Sequence, residues 1–213
     1  MARKNSETAP ARRGRPRAYD TQVALKQATE TFWKTGYSGT SLDSIAAATG
    51  MNPPSLYAAF GNKHAIYLKA LARYWEISLA ATREALAEDR PLGESLMLAF
   101  EAALSIYFSG KGNARGCFVI GTAVTEAGED AAIRSSVAAG LRMIDADFED
   151  RFRAAIERGE LKHDADPAAL AILASATMHT IAIRARAGVR RAELREIARK
   201  AVGLICGCRV EAS

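Results

Sequence analysis

After Tyr19 the apolar residues recur at the three-to-four-residue spacing of a helix, and no long alternating β-branched run interrupts them. The pattern predicts an all-α protein. Val23, Ala24, Ala28, Thr31 and Phe32 mark the inward face of a first helix that runs to about Lys34 and stops at Gly36. Thr40 is placed to cap a second, short helix, with Asp43 three residues on in a capping-box-like position and Leu42, Ile45 and Ala46 on one face. Gly50 supplies a residue tolerant of positive φ for the turn that follows. Asn52 is a suitable cap for a third helix with Pro53 or Pro54 as its first residue. Because a residue before proline avoids helical geometry, the alternative is Pro53 as the cap and Pro54 as the first helical residue. Gly61 ends that helix, and Asn62 opens a long fourth one through Ile66, Leu68, Leu71, Trp75 and Leu79. From about Pro91 to Cys208 several more helices are expected, joined by short loops.

Two short helices joined by a glycine turn, with Leu42, Ile45, Ala46, Met51 and Leu56 on the buried side, have the pattern of a helix-turn-helix. Further on, the segment from Pro167 to Gly188 carries two apolar stripes, one of Leu170, Leu173, Thr177 and Ile181 and another of Ile172, Ala176, His179 and Ile183. A helix with two such stripes can pack on its own core and on a second subunit, as in a four-helix bundle. Leu194, Ile197, Ala198, Ala201, Leu204 and Ile205 give the last helix a similar stripe, so these two helices are the expected dimer seam.

Composition narrows the setting. A chain of 213 residues that is 49% hydrophobic can bury a core without a disulfide or metal staple, and its three cysteines, Cys117, Cys206 and Cys208, do not suggest a secreted framework. The first ten residues are polar and charged, unlike a secretory signal, and the expected location is the cytoplasm with no membrane partner. Charge is uneven. Residues 1–19 hold six basic residues against the single acid Glu7, so the net charge of +5 lies wholly in that arm. A basic arm on a neutral body suits a polyanion partner, since each cation docked on a phosphate releases a counterion. The chain is therefore divided into an arm (1–19), a helix-turn-helix unit (20–65) and a larger helical unit (66–213).

Residue identities sharpen the reading. Thr40-Ser41-Leu42-Asp43-Ser44-Ile45-Ala46, then Thr49-Gly50, then Ser55-Leu56-Tyr57-Ala58-Ala59-Phe60-Gly61-Asn62-Lys63 resembles the signature of the TetR family of transcriptional regulators. The match takes in Ala28, Phe32, Gly36 and Tyr37 and extends over roughly Tyr19 to Leu71; Arg115-Gly116-Cys117 looks like a feature of an AcrR-like branch. The resemblance implies an N-terminal three-helix DNA-binding domain, followed by a helical ligand-binding and dimerisation domain. It also implies a homodimer on a pseudo-palindromic double-stranded operator, with a small-molecule effector. Repression is the expected mode, with activation left open.

Under that resemblance Asn52, Pro53, Pro54 and Ser55 stand at the end of the recognition helix that reaches base edges. Asn52 and Ser55 can hydrogen-bond there, and the prolines offer only apolar contact. Tyr57 and Lys63 are expected to grip phosphate, as are Thr40 and Ser41 where their helix begins. Residues 20–65 are formally neutral, with Lys26, Lys34 and Lys63 against Asp20, Glu30 and Asp43, so the arm should matter. Its Arg13-Gly14-Arg15-Pro16-Arg17 looks like an AT-hook core, for insertion into a narrow minor groove; sequence-neutral phosphate contact is the alternative.

Phe100, Leu104, Tyr107, Phe108, Phe118, Ile120 and Met143 offer surface for an apolar effector pocket, with Thr122, Tyr107 and His179 as polar anchors. Cys117 is placed in the same pocket, either as a small buried hydrophobe or as a redox switch if Arg115 lowers its pKa. Catalysis fares poorly, because His64, His163 and His179 are scattered and no metalloprotease, nucleophile-elbow or dinucleotide motif is present. The glycines of residues 110–116 lack the Lys-Ser/Thr ending of a phosphate loop, so that segment is expected to be a plain interhelical connection. No cofactor, metal or catalytic residue is expected. A non-sensing structural DNA binder is the remaining alternative, although it leaves the large second unit without a purpose.

Overall fold

The computed structural model describes residues 19–207 apart from residues 88 and 111. Arg13, Arg15 and Arg17 of the expected DNA-contacting arm, and Cys208, lie outside the described residues. Within them the protein is all-helical, with nine α-helices, one 3₁₀ turn and no strand.

Local chemistry sets the first four helices. Asp20 caps α1 (Thr21–Thr35) by accepting from the N–H groups of Gln22 and Val23, and Gly36, at φ 76°, ends it. Val23 is 51% exposed, against the expectation that it faces inward. The cap of α2 (Leu42–Thr49) is Ser41, which exchanges hydrogen bonds with Ser44 in a capping box. Thr40 and Asp43 do not play that part. Thr40 is buried because its hydroxyl donates to the Gly36 carbonyl at 2.6 Å and shares a hydrogen bond with the Thr35 hydroxyl at 2.7 Å, which pins the turn leaving α1. Gly50, at φ 66°, closes α2 in the left-handed region.

The cap of α3 (Pro53–Phe60) is Asn52, whose side chain accepts from the Ser55 N–H at 2.9 Å. Pro53 is therefore inside the helix and does not cap it. Asn52, at ψ 156°, absorbs the extended geometry that a following proline demands, and both prolines occupy first-turn positions where an N–H would have no intrahelical partner. Asn62 caps α4 (Lys63–Ala85), which crosses the expected 65/66 division without a break. Phe32, Ile45, Leu56 and Ile66, all fully buried, form the core of this reading head.

The body consists of α5 (Leu92–Tyr107), α6 (Phe118–Thr122), the 3₁₀ turn Glu126–Gly128, α7 (Ala131–Glu157), α8 (Pro167–Arg186) and α9 (Arg191–Ile205). The segment from residue 110 to residue 116 connects α5 to α6, where Arg115 and Gly116 both donate to the Tyr107 carbonyl. Helix α8 packs on α5, α6, α7 and α9. By length and composition it is also the one helix among the described residues that is apolar enough to cross a membrane, which the sequence reading did not expect of it. Its hydropathy reflects apolar side chains on both faces. Ala171, Ala174, Met178, Ile181 and Ala182 point inward, whereas Ile172, Leu173 and Ile183 are 50–56% exposed.

Head and body meet around Phe118. Its ring lies 5.5 Å from Trp33 of α1 and 5.8 and 5.6 Å from Tyr67 and Tyr74 of α4, centroid to centroid. Polar ties flank this cluster: Tyr67 and Thr122 share a hydrogen bond of 2.7 Å, Ser38 donates to Glu126 at 2.9 Å, and His64 pairs with Asp130 at 2.8 Å. The Asp130 carboxyl, which accepts the N–H groups of Ile133 and Ala132 at the start of α7 and faces His64, titrates below its ordinary value.

Candidate nucleic-acid interface and effector cavity

The exposed end of α3 presents Asn52, Pro53 and Pro54, with Tyr57 one turn on and 52% exposed; Ser55 is half-buried. Prolines at the first two helical positions supply no N–H, and the third N–H is taken by Asn52, so none of the first three helical positions has a free backbone N–H for a phosphate. Side chains therefore dominate what this helix end can offer. The Asn52 amide N–H₂ and the Ser55 and Tyr57 hydroxyls are its donors. Beside it, Ser41 is exposed at the start of α2. Lys63 opens α4 with its ammonium 4.3 Å above the Tyr37 ring. Thr40, which faces inward, leaves the expected contact set.

The body contains a small cavity of about 10 Å³, room for roughly one water. Of the expected effector residues, Tyr107, Cys117, Ile120 and His179 line it. The others do not. Phe100, Leu104 and Phe118 are fully buried packing residues, and Phe108 is half-buried at the end of α5. The Thr122 hydroxyl is engaged by Tyr67 and the Phe118 carbonyl, and Met143 is 39% exposed on α7. Sequence reasoning missed Tyr74, Trp75, Ser78 and Met178, which complete much of the wall. Residues 74, 75 and 78 of α4 follow the helical spacing of an inward stripe.

No fully charged side chain lines this cavity. Burial pushes the His179 pKa down, opposed by Asp145, which favours a neutral imidazole. The indole N–H of Trp75 is buried without a partner. Burial pushes the Cys117 thiol up, against hydrogen bonds that lower it, and its sulfur receives the Tyr74 hydroxyl at 3.1 Å. Arg115, expected to activate that thiol, instead pairs with Glu30, donates to Ser109 at 2.8 Å and lies 4.2 Å over the Trp33 ring. Cys117 is thus held as a protonated thiol rather than as a reactive thiolate.

On the outer face of the body, Ile172, Leu173 and Ile183 of α8 and Leu204 of α9 stand exposed, Leu204 at 78%. Leu170, Thr177, Ile197 and Ala201 are half-buried beside them. Ile181 and Leu194, placed in the expected seam, turn inward with 1% and 0% exposure and belong to the subunit's own core. Among the described residues no three His, Cys, Asp or Glu side chains are grouped to hold a metal.

The family model described as "Bacterial regulatory proteins, tetR family" matches residues 24–70, and that described as "Tetracyclin repressor-like, C-terminal domain" matches residues 94–202. The HTH-type transcriptional repressor ComR of Escherichia coli K12 is 30% identical over 200 residues, covering 93% of this chain and 94% of ComR. Among solved structures, a cysteine mutant of the TetR family regulator CifR, complexed with a 26-base-pair double-strand operator, superposes with a TM-score of 0.80. It is 31% identical, and the match covers 89% of this chain and 98% of that one. Reduced NemR of Escherichia coli shares the fold, with a TM-score of 0.73 at 16% identity over 90% of this chain and 97% of its own.

Proposed function

Since the chain belongs to the TetR family of bacterial regulatory proteins, we propose that it is a homodimeric, cytoplasmic repressor that holds a pseudo-palindromic operator and releases it when a small molecule enters the body. The observation that carries this reading is the solvent-facing start of α3, where Asn52, Pro53, Pro54 and Tyr57 stand clear of a fully packed head. The likeness over most of its length to CifR, whose structure holds operator DNA, supports the same docking mode. Asn52 and Ser55 would read base edges, the prolines would offer apolar contact, and Ser41, Tyr57 and Lys63 would grip phosphates on either side. Arg13, Arg15 and Arg17 would add phosphate or minor-groove contacts to a head that is formally neutral.

The exposed seam of α8 and α9 would join two subunits and set the spacing of their heads. The effector would open the small cavity against Trp75 and His179, and the absence of charge in its wall favours an uncharged ligand. Cys117 and Tyr107 touch this cavity, and Phe118, next in sequence, touches both head helices; α6 would therefore carry the strain to α1 and α4. An effector acts only through its different affinity for the DNA-binding and released states.

Fluorescence anisotropy separates the proposed roles. Tyr57→Ala and Lys63→Ala are expected to weaken operator and unrelated DNA by similar factors. Ser55→Ala and Asn52→Ser, the latter keeping a helix cap, should narrow the gap between operator and mismatched sites by about 1–3 kcal/mol per lost base contact. Unchanged operator affinity in both Tyr57→Ala and Lys63→Ala would remove this face from the interface.

A further inference from the structure

A groove of about 350 Å³ opens between α1 of the head and α4 and α5, on the outer side of Tyr74, which also lines the inner cavity. Its volume is in the range of small-molecule sites, whereas the inner cavity holds about one water. The apolar lining is Trp33, Tyr74, Ile106 and Ile77, the last left 47% exposed. The rim carries three cations, Lys26, Arg73 and Arg115, against the single carboxylate of Glu30. Arg115 is already spent on Glu30 and on the Trp33 ring. Arg73 reaches only the neutral amide oxygen of Gln22, at 3.3 Å, and neither Arg73 nor Lys26 has a carboxylate partner among the described residues.

We propose that this groove is a second ligand site that takes a small amphipathic carboxylate, its apolar body on Trp33 and Ile77 and its head between Lys26 and Arg73. A plain hydrocarbon would leave two cations facing it without an acceptor, and a cation would be repelled. A carboxylate satisfies both with charge-assisted hydrogen bonds. The site is distinct from the effector cavity proposed above, and its walls come from both head and body.

Decanoate below its micelle concentration is a suitable probe, titrated calorimetrically into the full-length protein with decan-1-ol as the uncharged control. Tryptophan occurs only at positions 33 and 75, so Trp75→Phe leaves Trp33 as the reporter of groove occupancy. Decanoate is expected to bind and to shift Trp33 emission, and the Lys26→Ala/Arg73→Ala double variant should bind it about tenfold more weakly. Decan-1-ol should bind the native protein more weakly than decanoate, and Ile77→Asp, which puts a carboxylate on an exposed position of the groove, should abolish decanoate binding. Calorimetry on the native protein and the rim variants decides the matter even if Trp75→Phe fails to fold. Unaltered decanoate affinity in both the double variant and Ile77→Asp would overturn the site, as would binding that leaves Trp33 emission unchanged, or no binding up to about 1 mM.

Discussion

A protein carrying Leu173→Glu and Ile183→Glu is expected to sediment as a folded monomer and to lose its grip on a full operator. Both side chains are half-exposed in the isolated subunit, at 50% and 56%, so the substitutions leave its core intact and its helical content and melting curve should change little. In the proposed dimer the two-fold axis repeats each carboxylate, and burying an unpaired charge costs about 3–5 kcal/mol, enough to raise the dimer dissociation constant by a factor of ~100 or more. Operator affinity falls with it, because each head then binds its half-site alone. Ile181→Glu is the informative contrast. That residue is 1% exposed within the subunit, so its substitution should unfold the protein rather than separate two folded copies. An intact dimer of the Leu173/Ile183 double variant in sedimentation would exclude this face as the seam.

A large loss of stability is expected on truncation of Phe118. Its side chain is fully buried and contacts the rings of Trp33, Tyr67 and Tyr74, so Phe118→Ala leaves a cavity where α6, α1 and α4 meet. Truncation of a buried phenylalanine costs about 3–5 kcal/mol, which corresponds to a fall in melting temperature of roughly 10 °C for a domain of this size. Met143→Ala, on the exposed side of α7, should move it by no more than about 0.5 kcal/mol. Thermal denaturation followed by circular dichroism compares the two. Equal stability of Phe118→Ala and the native protein would mean that the aromatic cluster does not hold head and body together.

Much of the head was legible because its signals are local. Asn52 and Asn62 cap the helices they precede, and Gly36, Gly50 and Gly61 end the ones before them, each through chemistry within a few residues. Thr40 shows where that logic stops. Thr40 and Ser41 are both good caps, and the choice between them is made by the hydrogen bonds of Thr40 to Gly36 and Thr35 in the preceding turn. The body was legible in type but not in facing. Helix α8 is apolar all round, so periodicity could not say that Ile181 turns inward while Ile183, two residues on, turns out. The cavity was least legible of all. Its wall draws on five helices or their caps, and side-chain identity does not distinguish a phenylalanine that fills space, such as Phe100, from a tryptophan that borders it, such as Trp75.

The joint between the two parts had a signal that went unread. Phe118 and Thr122, expected in the effector pocket as an aromatic and a polar group within an apolar stretch, face Trp33 and Tyr67. Trp33, Tyr67 and Tyr74 recur on the inner sides of α1 and α4, and so many aromatics on the helices leaving the head would have marked a docking surface for α6.

Selection of operator sequences from a random duplex library by the purified full-length protein separates a dimeric operator reader from a binder without sequence preference. Enrichment of a single inverted repeat is expected, its half-sites spaced for two α3 helices of one dimer and its enrichment lost when Leu173→Glu/Ile183→Glu is used instead. No enriched sequence, or an enriched site without two-fold symmetry, would contradict a homodimeric operator reader.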